Sequence, residues 1–385
     1  MIGGKIGIVF CVLMMGVNGL MASNELGERG DFNIQGSLSE VQDSTDPAYV
    51  FVDGLDLTIL GKGHDEEHYG RLPEKYKEIV RSPVWSLSRH SAGVKLIFRS
   101  NSPEIVARWE VMSYSDKTNM TQIGASGLDL YCRVNGRWQY VNSGVPTGHK
   151  NEKSLITDMD TTYKEFMLHL PLYDGLRSIE IGVMRGYEIE SSQQMSELPI
   201  VVYGTSITQG ASASRPGMAY PSIISRNMDV EIINLGFSGN GRFESSVGQF
   251  LCEIESQLLV LDCTPNSSPD VIRANALNLI KQFRSCQPST PILMVESIVR
   301  EYSHFRTQNP QKFGTKAYLQ TQNKALATAF EAAKEAGISE IYYLESDGLI
   351  GDDHEGTVDG THLTDLGMMR IAHAIQQKIE AILFD

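Results

Sequence analysis

The sequence predicts an all-β sandwich followed by an α/β half built on a doubly wound parallel sheet of five strands, flavodoxin-like in order. Three observations carry that expectation. From about Pro47 to Met184 apolar and polar residues alternate with period 2, as half-buried strands do. From Leu198 onward unbroken apolar runs of strand length alternate with amphipathic segments, as a parallel sheet covered on both faces requires. The length of 385 residues suits two domains at roughly 100–200 residues each.

The N-terminus comes first. Lys5 precedes an uncharged run from Ile6 to Met21, which reads as an export signal spanning 1–22. An uncleaved anchor is the alternative, and Cys11 lies too early in the run for a lipid attachment site. Export places the mature chain in the periplasm or outside the cell, with no stable membrane insertion once the signal is removed.

The β-sandwich is expected over 45–190. Val94, Leu96 and Phe98 alternate with Lys95 and Ile97; Ile105, Ala107, Trp109 and Val111 follow the same rule. Leu128, Leu130, Cys132 and Val134 lead into Asn135-Gly136, the strongest short-range hairpin signal, and Trp138 and Tyr140 leave it. Phe166, Leu168 and Leu170 form another run, and Asp174-Gly175 supplies a turn before Ile179, Ile181 and Val183. Trp85, Trp109 and Trp138 are expected in the core. Glu188–Glu197 is polar and reads as a linker.

The second half is expected over 197–385, with strands at Ile200–Tyr203, Glu231–Leu235, Leu258–Asp262, Ile292–Val295 and Ile341–Leu344. Asp270–Phe283, with Val271, Ala274, Leu277 and Ile280 on one face, Tyr318–Ala336, closed by Gly337, and Thr364–Leu383 read as helices. Crossover helices between parallel strands give the doubly wound sheet.

A net charge of −14 repels phosphate backbones and anionic lipid, so nucleic acid is not an expected partner; a neutral sugar or small ester fits better. Cys132, Cys252, Cys263 and Cys286 are too few for a disulfide framework; one bridge is possible, and buried thiols are the simpler expectation.

Reactive groups in such sheets collect at the C-terminal ends of the strands. The first strand ends at Gly204-Thr205-Ser206, where a serine can be held as a nucleophile, although a plain turn or helix cap would read the same. The second ends at Gly236-Phe237-Ser238-Gly239-Asn240-Gly241, where a backbone N–H can face an oxyanion; no P-loop lysine follows. After the third, Asn266 can donate its amide or form an Asx turn. Near the end Asp359-Gly360-Thr361-His362 offers a base and its orienter. Each is weak alone; in this order they are the parts of an acyl-transfer site.

These residues resemble the SGNH, or GDSL-like, hydrolase superfamily, named for its Ser, Gly, Asn and His blocks. The resemblance implies a serine esterase with Ser206, His362 and Asp359 as catalytic residues. It implies an oxyanion hole of the Ser206 and Gly239 N–H groups and the Asn266 side chain. Two positions depart from the family pattern: Gly-Asp-Ser reads Gly204-Thr205-Ser206, and Gly-x-Asn-Asp reads Thr264-Pro265-Asn266-Ser267. Gly127-Leu128-Asp129-Leu130-Tyr131 resembles the Gly-x-Asp-Leu-Tyr signature of a β-sandwich domain found before such hydrolases, as do Leu87–Gly93 and Arg108-Trp109. The resemblance implies no cofactor.

Arg242 and Glu296 are further candidates for substrate contact, since both follow strand ends on the same edge. His64-Asp65-Glu66-Glu67-His68 departs from His-Glu-x-x-His at Asp65 and reads as loop, so no metal is expected there. The expected substrate is a small acyl ester, acetyl above all, on a saccharide. A lysophospholipase or thioesterase is one alternative, and a glycan-binding protein with a relict hydrolase half is the other.

Overall fold

Ten strands fill the first half of the computed structural model, which describes residues 48–192 and 198–384. The expected signal and Cys11 lie outside the described residues. The strands are Tyr49–Asp53 (β1), Thr58–Leu60 (β2), Lys95–Ser100 (β3), Ile105–Val111 (β4), Leu128–Val134 (β5), Arg137–Gly144 (β6), Lys150–Ile156 (β7), Lys164–His169 (β8), Leu176–Met184 (β9) and Ile189–Ser191 (β10). They form two antiparallel sheets, ordered β1-β9-β4-β7 and β10-β3-β8-β5-β6, with β2 also on β3. Ile105, Ala107, Trp109 and Val111 point into the core between the sheets, as alternation requires. Asn135 and Gly136 both take positive φ, at 50° and 76°, and close the β5–β6 hairpin.

Three local expectations are revised. Ile189–Ser191, expected as linker, pairs antiparallel with β3; 193–197 lies outside the described residues. Asp174-Gly175 bends the chain from one sheet to the other, because β8 and β9 belong to different sheets. Asp174 is itself buried, accepting from Ser113, Tyr114, Ser126 and Gly175. Of the tryptophans only Trp109 is fully buried, at 2% exposure, while Trp85 and Trp138 are half-buried.

The second half holds Ile200–Gly204 (β11), Ile232–Gly236 (β12), Leu258–Asp262 (β13), Ile292–Val295 (β14) and Ile341–Leu344 (β15). All neighbours are parallel, in the order β12-β11-β13-β14-β15. The helices of the described residues are Ser82–Ser88 (α1), Gln122–Ser126 (α2), Ser206–Gln209 (α3), Tyr220–Met228 (α4), Ser245–Leu251 (α5), Pro269–Cys286 (α6), Lys316–Glu335 (α7) and Asp365–Leu383 (α8). Val201, Tyr203, Leu259, Leu261 and Met294 pack on α5, α6 and α7. Ile200, Val202, Leu258, Val260 and Val295 pack on α4 and α8. Each such side chain stabilises the fold by roughly 1.5–3 kcal/mol relative to exposure.

The buried face of α6 is Ile272, Ala276, Leu279, Ile280 and Phe283, not the expected Val271, Ala274, Leu277 and Ile280. Steps of three residues fall short of a 3.6-residue turn, so Val271 and Ile280 end on opposite sides of the helix. Cys252 and Cys286 form a disulfide, contrary to the simpler expectation, because the ends of α5 and α6 bring their Cα atoms to 5.6 Å. Cys132 and Cys263 are reduced.

Packing does not separate the two halves. Lys95 is buried and donates to Ser225 Oγ of α4 at 2.5 Å; burial lowers its pKa to about 8. Asp129 accepts from Ser143 Oγ at 2.6 Å, from Arg215 at 2.7 Å and from the Gly217 N–H at 2.9 Å, and Tyr131 accepts from Arg215 at 2.5 Å. The Gly127–Tyr131 signature thus grips the segment that follows the Ser206 turn.

Candidate active site

The strand register sets the site. Gly204, Gly236 and Asp262 stand side by side at the C-terminal ends of β11, β12 and β13. Ser206, Gly239 and Asn266 follow these ends by two, three and four residues.

Ser206 opens α3. Thr205 caps the helix in a reciprocal capping box with Thr208, so threonine does at this position the N-cap work open to an aspartate. Thr208 Oγ1 donates to Asp262 Oδ2 at 2.7 Å, and Tyr220 donates to the same oxygen at 2.9 Å. Burial raises the Asp262 pKa to about 6 against those two bonds. The Ser206 turn is thereby tied to β13.

His362 Nε2 lies 3.0 Å from Ser206 Oγ, and its Nδ1 lies 2.7 Å from Asp359 Oδ2. Asp359 Oδ1 accepts the N–H groups of Thr361 at 3.0 Å and His362 at 2.8 Å. Burial works to raise this carboxyl, but the bonds and charge of His362 outweigh it and hold the pKa down at about 2. Asp359 therefore stays ionised, and its bond to Nδ1 leaves Nε2 facing the serine. Ser206 is 6% exposed, while the side chains of His362 and Asp359 are 24% and 38% exposed, so the His362–Asp359 pair opens to solvent.

Gly239 sits at φ +70° with open space beside it, and its N–H has no partner among the described residues. A Cβ on Gly241 would lie 2.1 Å from the Gly204 carbonyl, so only glycine lets this loop rest on the Ser206 turn. Asn266 ends the turn Thr264–Asn266, and its Oδ1 is buried without a partner. Gln322 fixes this turn by donating to the carbonyls of Thr264 and Ser267. Arg300 donates to the Pro265 carbonyl.

The two remaining candidates make contacts within the fold. Arg242 is exposed and donates to the Gly239 carbonyl at 3.0 Å, bracing that loop. Glu296 accepts from Tyr343, Asn323 and Ser346, which anchors the start of the loop leading to Asp359. In the 64–68 loop, His64 accepts from the Glu66 N–H and donates to the Gly70 carbonyl. His68 accepts from the Gly70 N–H and donates to Glu66. All four ring nitrogens are committed, so metal ligation there would break these bonds.

Several contacts escaped the sequence, and most of them join the first half to the second. Asn119 Nδ2 donates to Asp359 Oδ2 at 3.2 Å. Gln209 accepts the Ser238 N–H at 3.0 Å while donating to His90 Nδ1 and the Leu172 carbonyl. Burial, and then the Arg71 charge, push His90 down to about 4, so its Nδ1 is a neutral acceptor. Fully buried Arg71 donates to the carbonyls of Asn234 and Gly236 at the end of β12, and to those of Leu87 and His90. Tyr173 approaches the Ser206 carbonyl at 3.5 Å. Asn119 carries no local signal, being 240 residues from its partner. Gln209 lies within the Ser206 motif, but its role depends on what faces it.

The model of the GDSL-like lipase/acylhydrolase family matches residues 197–380, and that of the GxDLY N-terminus of SGNH-hydrolase-type esterases matches 49–189. A Bacteroides ovatus protein assigned as a GDSL-like lipase is 38% identical, covering 87% of this chain and 98% of its own, with TM-score 0.83. The salicylyl-acyltransferase SsfX3 from a tetracycline biosynthetic pathway shares the fold at 18% identity and TM-score 0.69, over 88% of this chain and 96% of its own. A family two carbohydrate esterase from Clostridium thermocellum, in complex with cellohexaose, shares it at 13% identity and TM-score 0.52, over 75% and 92%. No curated protein sequence matches the chain. Among the described residues no helix is long and apolar enough to cross a membrane.

Proposed function

This chain belongs to the GDSL-like lipase/acylhydrolase family and is a carboxylic ester hydrolase, and on that premise we propose that it is an exported serine esterase acting through Ser206, His362 and Asp359. One observation carries the assignment: His362 stands within 3.0 Å of the Ser206 hydroxyl and 2.7 Å of the Asp359 carboxylate.

His362 Nε2 takes the proton from Ser206 Oγ as that oxygen bonds to the ester carbonyl carbon. Negative charge moves onto the carbonyl oxygen, where the N–H groups of Ser206 and Gly239 and the Asn266 amide receive it. The intermediate collapses with cleavage of the bond to the leaving alcohol, which takes the proton from the imidazolium. Water then repeats the sequence on the acyl-enzyme and frees the acid. Asp359 stabilises the imidazolium at both stages without accepting its proton.

The substrate class we favour is an acetyl or other small acyl ester on a saccharide. Support comes from the solvent-open His362–Asp359 pair, the net charge of −14 and the sandwich packed against the site. Hydrolysis of p-nitrophenyl acetate, butyrate and octanoate tests it, with Ser206→Ala in parallel. Serine-dependent activity that falls with acyl length is expected. Preference for octanoate would favour the lysophospholipase or thioesterase reading, and full activity in Ser206→Ala would remove the mechanism.

A further inference from the structure

Outside the catalytic machinery, Glu301, His304 and His354 bring one ligand atom each to within 4.8 Å of one another. Glu301 and His304 lie on the single turn Glu301–His304, and His354 lies on the loop between β15 and α8. His354 Nδ1 is 2.8 Å from Glu301 Oε2, and the two imidazole centroids are 5.4 Å apart. These residues line a cleft of about 320 Å³ that also receives Asp347, Asp352 and one cation, Lys316.

The contrast with the 64–68 loop is chemical. There every ring nitrogen is spent on a protein partner. Here His304 makes no hydrogen bond among the described residues, and His354 makes only the one to Glu301. Both rings are exposed, so lone pairs are available and solvent can complete a coordination shell. Two imidazoles and one carboxylate are a borderline-soft nitrogen and oxygen set. That set suits a tetrahedral zinc ion with water in the fourth place, and not calcium or magnesium, which take oxygen alone.

We propose that Glu301, His304 and His354 bind a divalent zinc-type cation that fastens the Glu301–His304 turn to the loop carrying Asp359 and His362. The two segments already touch beside the catalytic residues. The Glu301 N–H donates to the Gly360 carbonyl at 3.1 Å, and Thr361 Oγ1 donates to Tyr302 at 3.2 Å. A cation at the far end of the same turn closes the loop at a second point, five residues before Asp359.

Isothermal titration of the EDTA-treated whole chain with zinc chloride, and with magnesium chloride as control, tests the site. A single zinc ion is expected to bind, magnesium is not, and His304→Ala and His354→Ala should each weaken zinc ~10-fold or more. Because both side chains are exposed, neither variant threatens folding. Zinc at a hundredfold excess over its Kd should raise Tm by roughly 5 °C and slow amide exchange over 352–362. Zinc that fails to bind, or binds undiminished in either variant, overturns the site; binding without slower exchange overturns the fastening. Ser206→Ala should bind zinc normally, so this test is independent of the esterase assignment.

Discussion

Asn119→Ala removes the contact that, among the described residues, the first half makes with the Asp359 carboxylate. The Asp359 carboxylate collects four donors: two backbone N–H groups on Oδ1, and His362 Nδ1 and Asn119 Nδ2 on Oδ2. A hydrogen bond to a charged group contributes ~1.5–3 kcal/mol. At 3.2 Å, and on a side chain 38% exposed, water replaces part of that, so ~1 kcal/mol is the reasoned loss. If Asn119 orients the Asp359–His362 pair, this energy is lost where the imidazolium forms, in acylation and deacylation alike. The expected result is a fall in kcat of about fivefold with KM unchanged. Steady-state hydrolysis of p-nitrophenyl acetate measures both, and thermal melting controls for folding. A kcat within twofold of the parent, with Tm unchanged, refutes the reasoning. A raised KM at constant kcat would move Asn119 to substrate binding instead.

Three further outcomes are expected. Asn266→Ala should lower kcat by ~10²–10³ with little change in Tm, since its amide has no structural bond to lose; a tenfold loss or less would take it out of the oxyanion hole. Asp129→Asn leaves the Arg215 guanidinium uncompensated in a largely buried site and should cost about 3 kcal/mol in urea unfolding; a cost under 1 kcal/mol would show that the two halves do not depend on this pair. Asp262, raised by burial from 3.8 to about 6, holds a proton when folded that the unfolded chain has released, so it lowers stability as pH rises through that window. Asp262→Asn should therefore gain on the parent between about pH 4 and 6, by about 3 kcal/mol above it; parallel stability–pH curves would contradict this.

The five parallel strands were legible because covering both faces forces continuous apolar runs, which few other structures produce. The residues of the proposed triad drew attention for a related reason. Each sits within a few residues of a strand or helix end, where local motifs and chain order coincide. Period 2 alone says nothing of what covers the second face of a strand, and in β3 Lys95 on that face meets α4. The Cys252–Cys286 bridge joins two helix ends whose meeting depends on how α5 and α6 pack, which no spacing encodes. Asn119, His90 and Arg71 were invisible for the same reason, since their partners lie in the other half.

Those hidden contacts change what the sandwich can be. A separately folding binding module would meet the hydrolase through a polar, breakable surface. Arg71 is instead fully buried with no carboxylate beside it among the described residues, and four backbone carbonyls receive its N–H groups, two of them at the end of β12. A guanidinium in that position is costly unless every bond is kept, so β12 and the loop behind it cannot shift relative to the first half. Gln209 carries the same constraint to Ser238, one residue before the proposed oxyanion glycine. At the opposite end Asn119 reaches Asp359. The first half thus contacts both the oxyanion side and the acid–base side of Ser206. The geometry at the serine belongs to both halves at once, and a substitution in the sandwich can alter turnover without touching substrate.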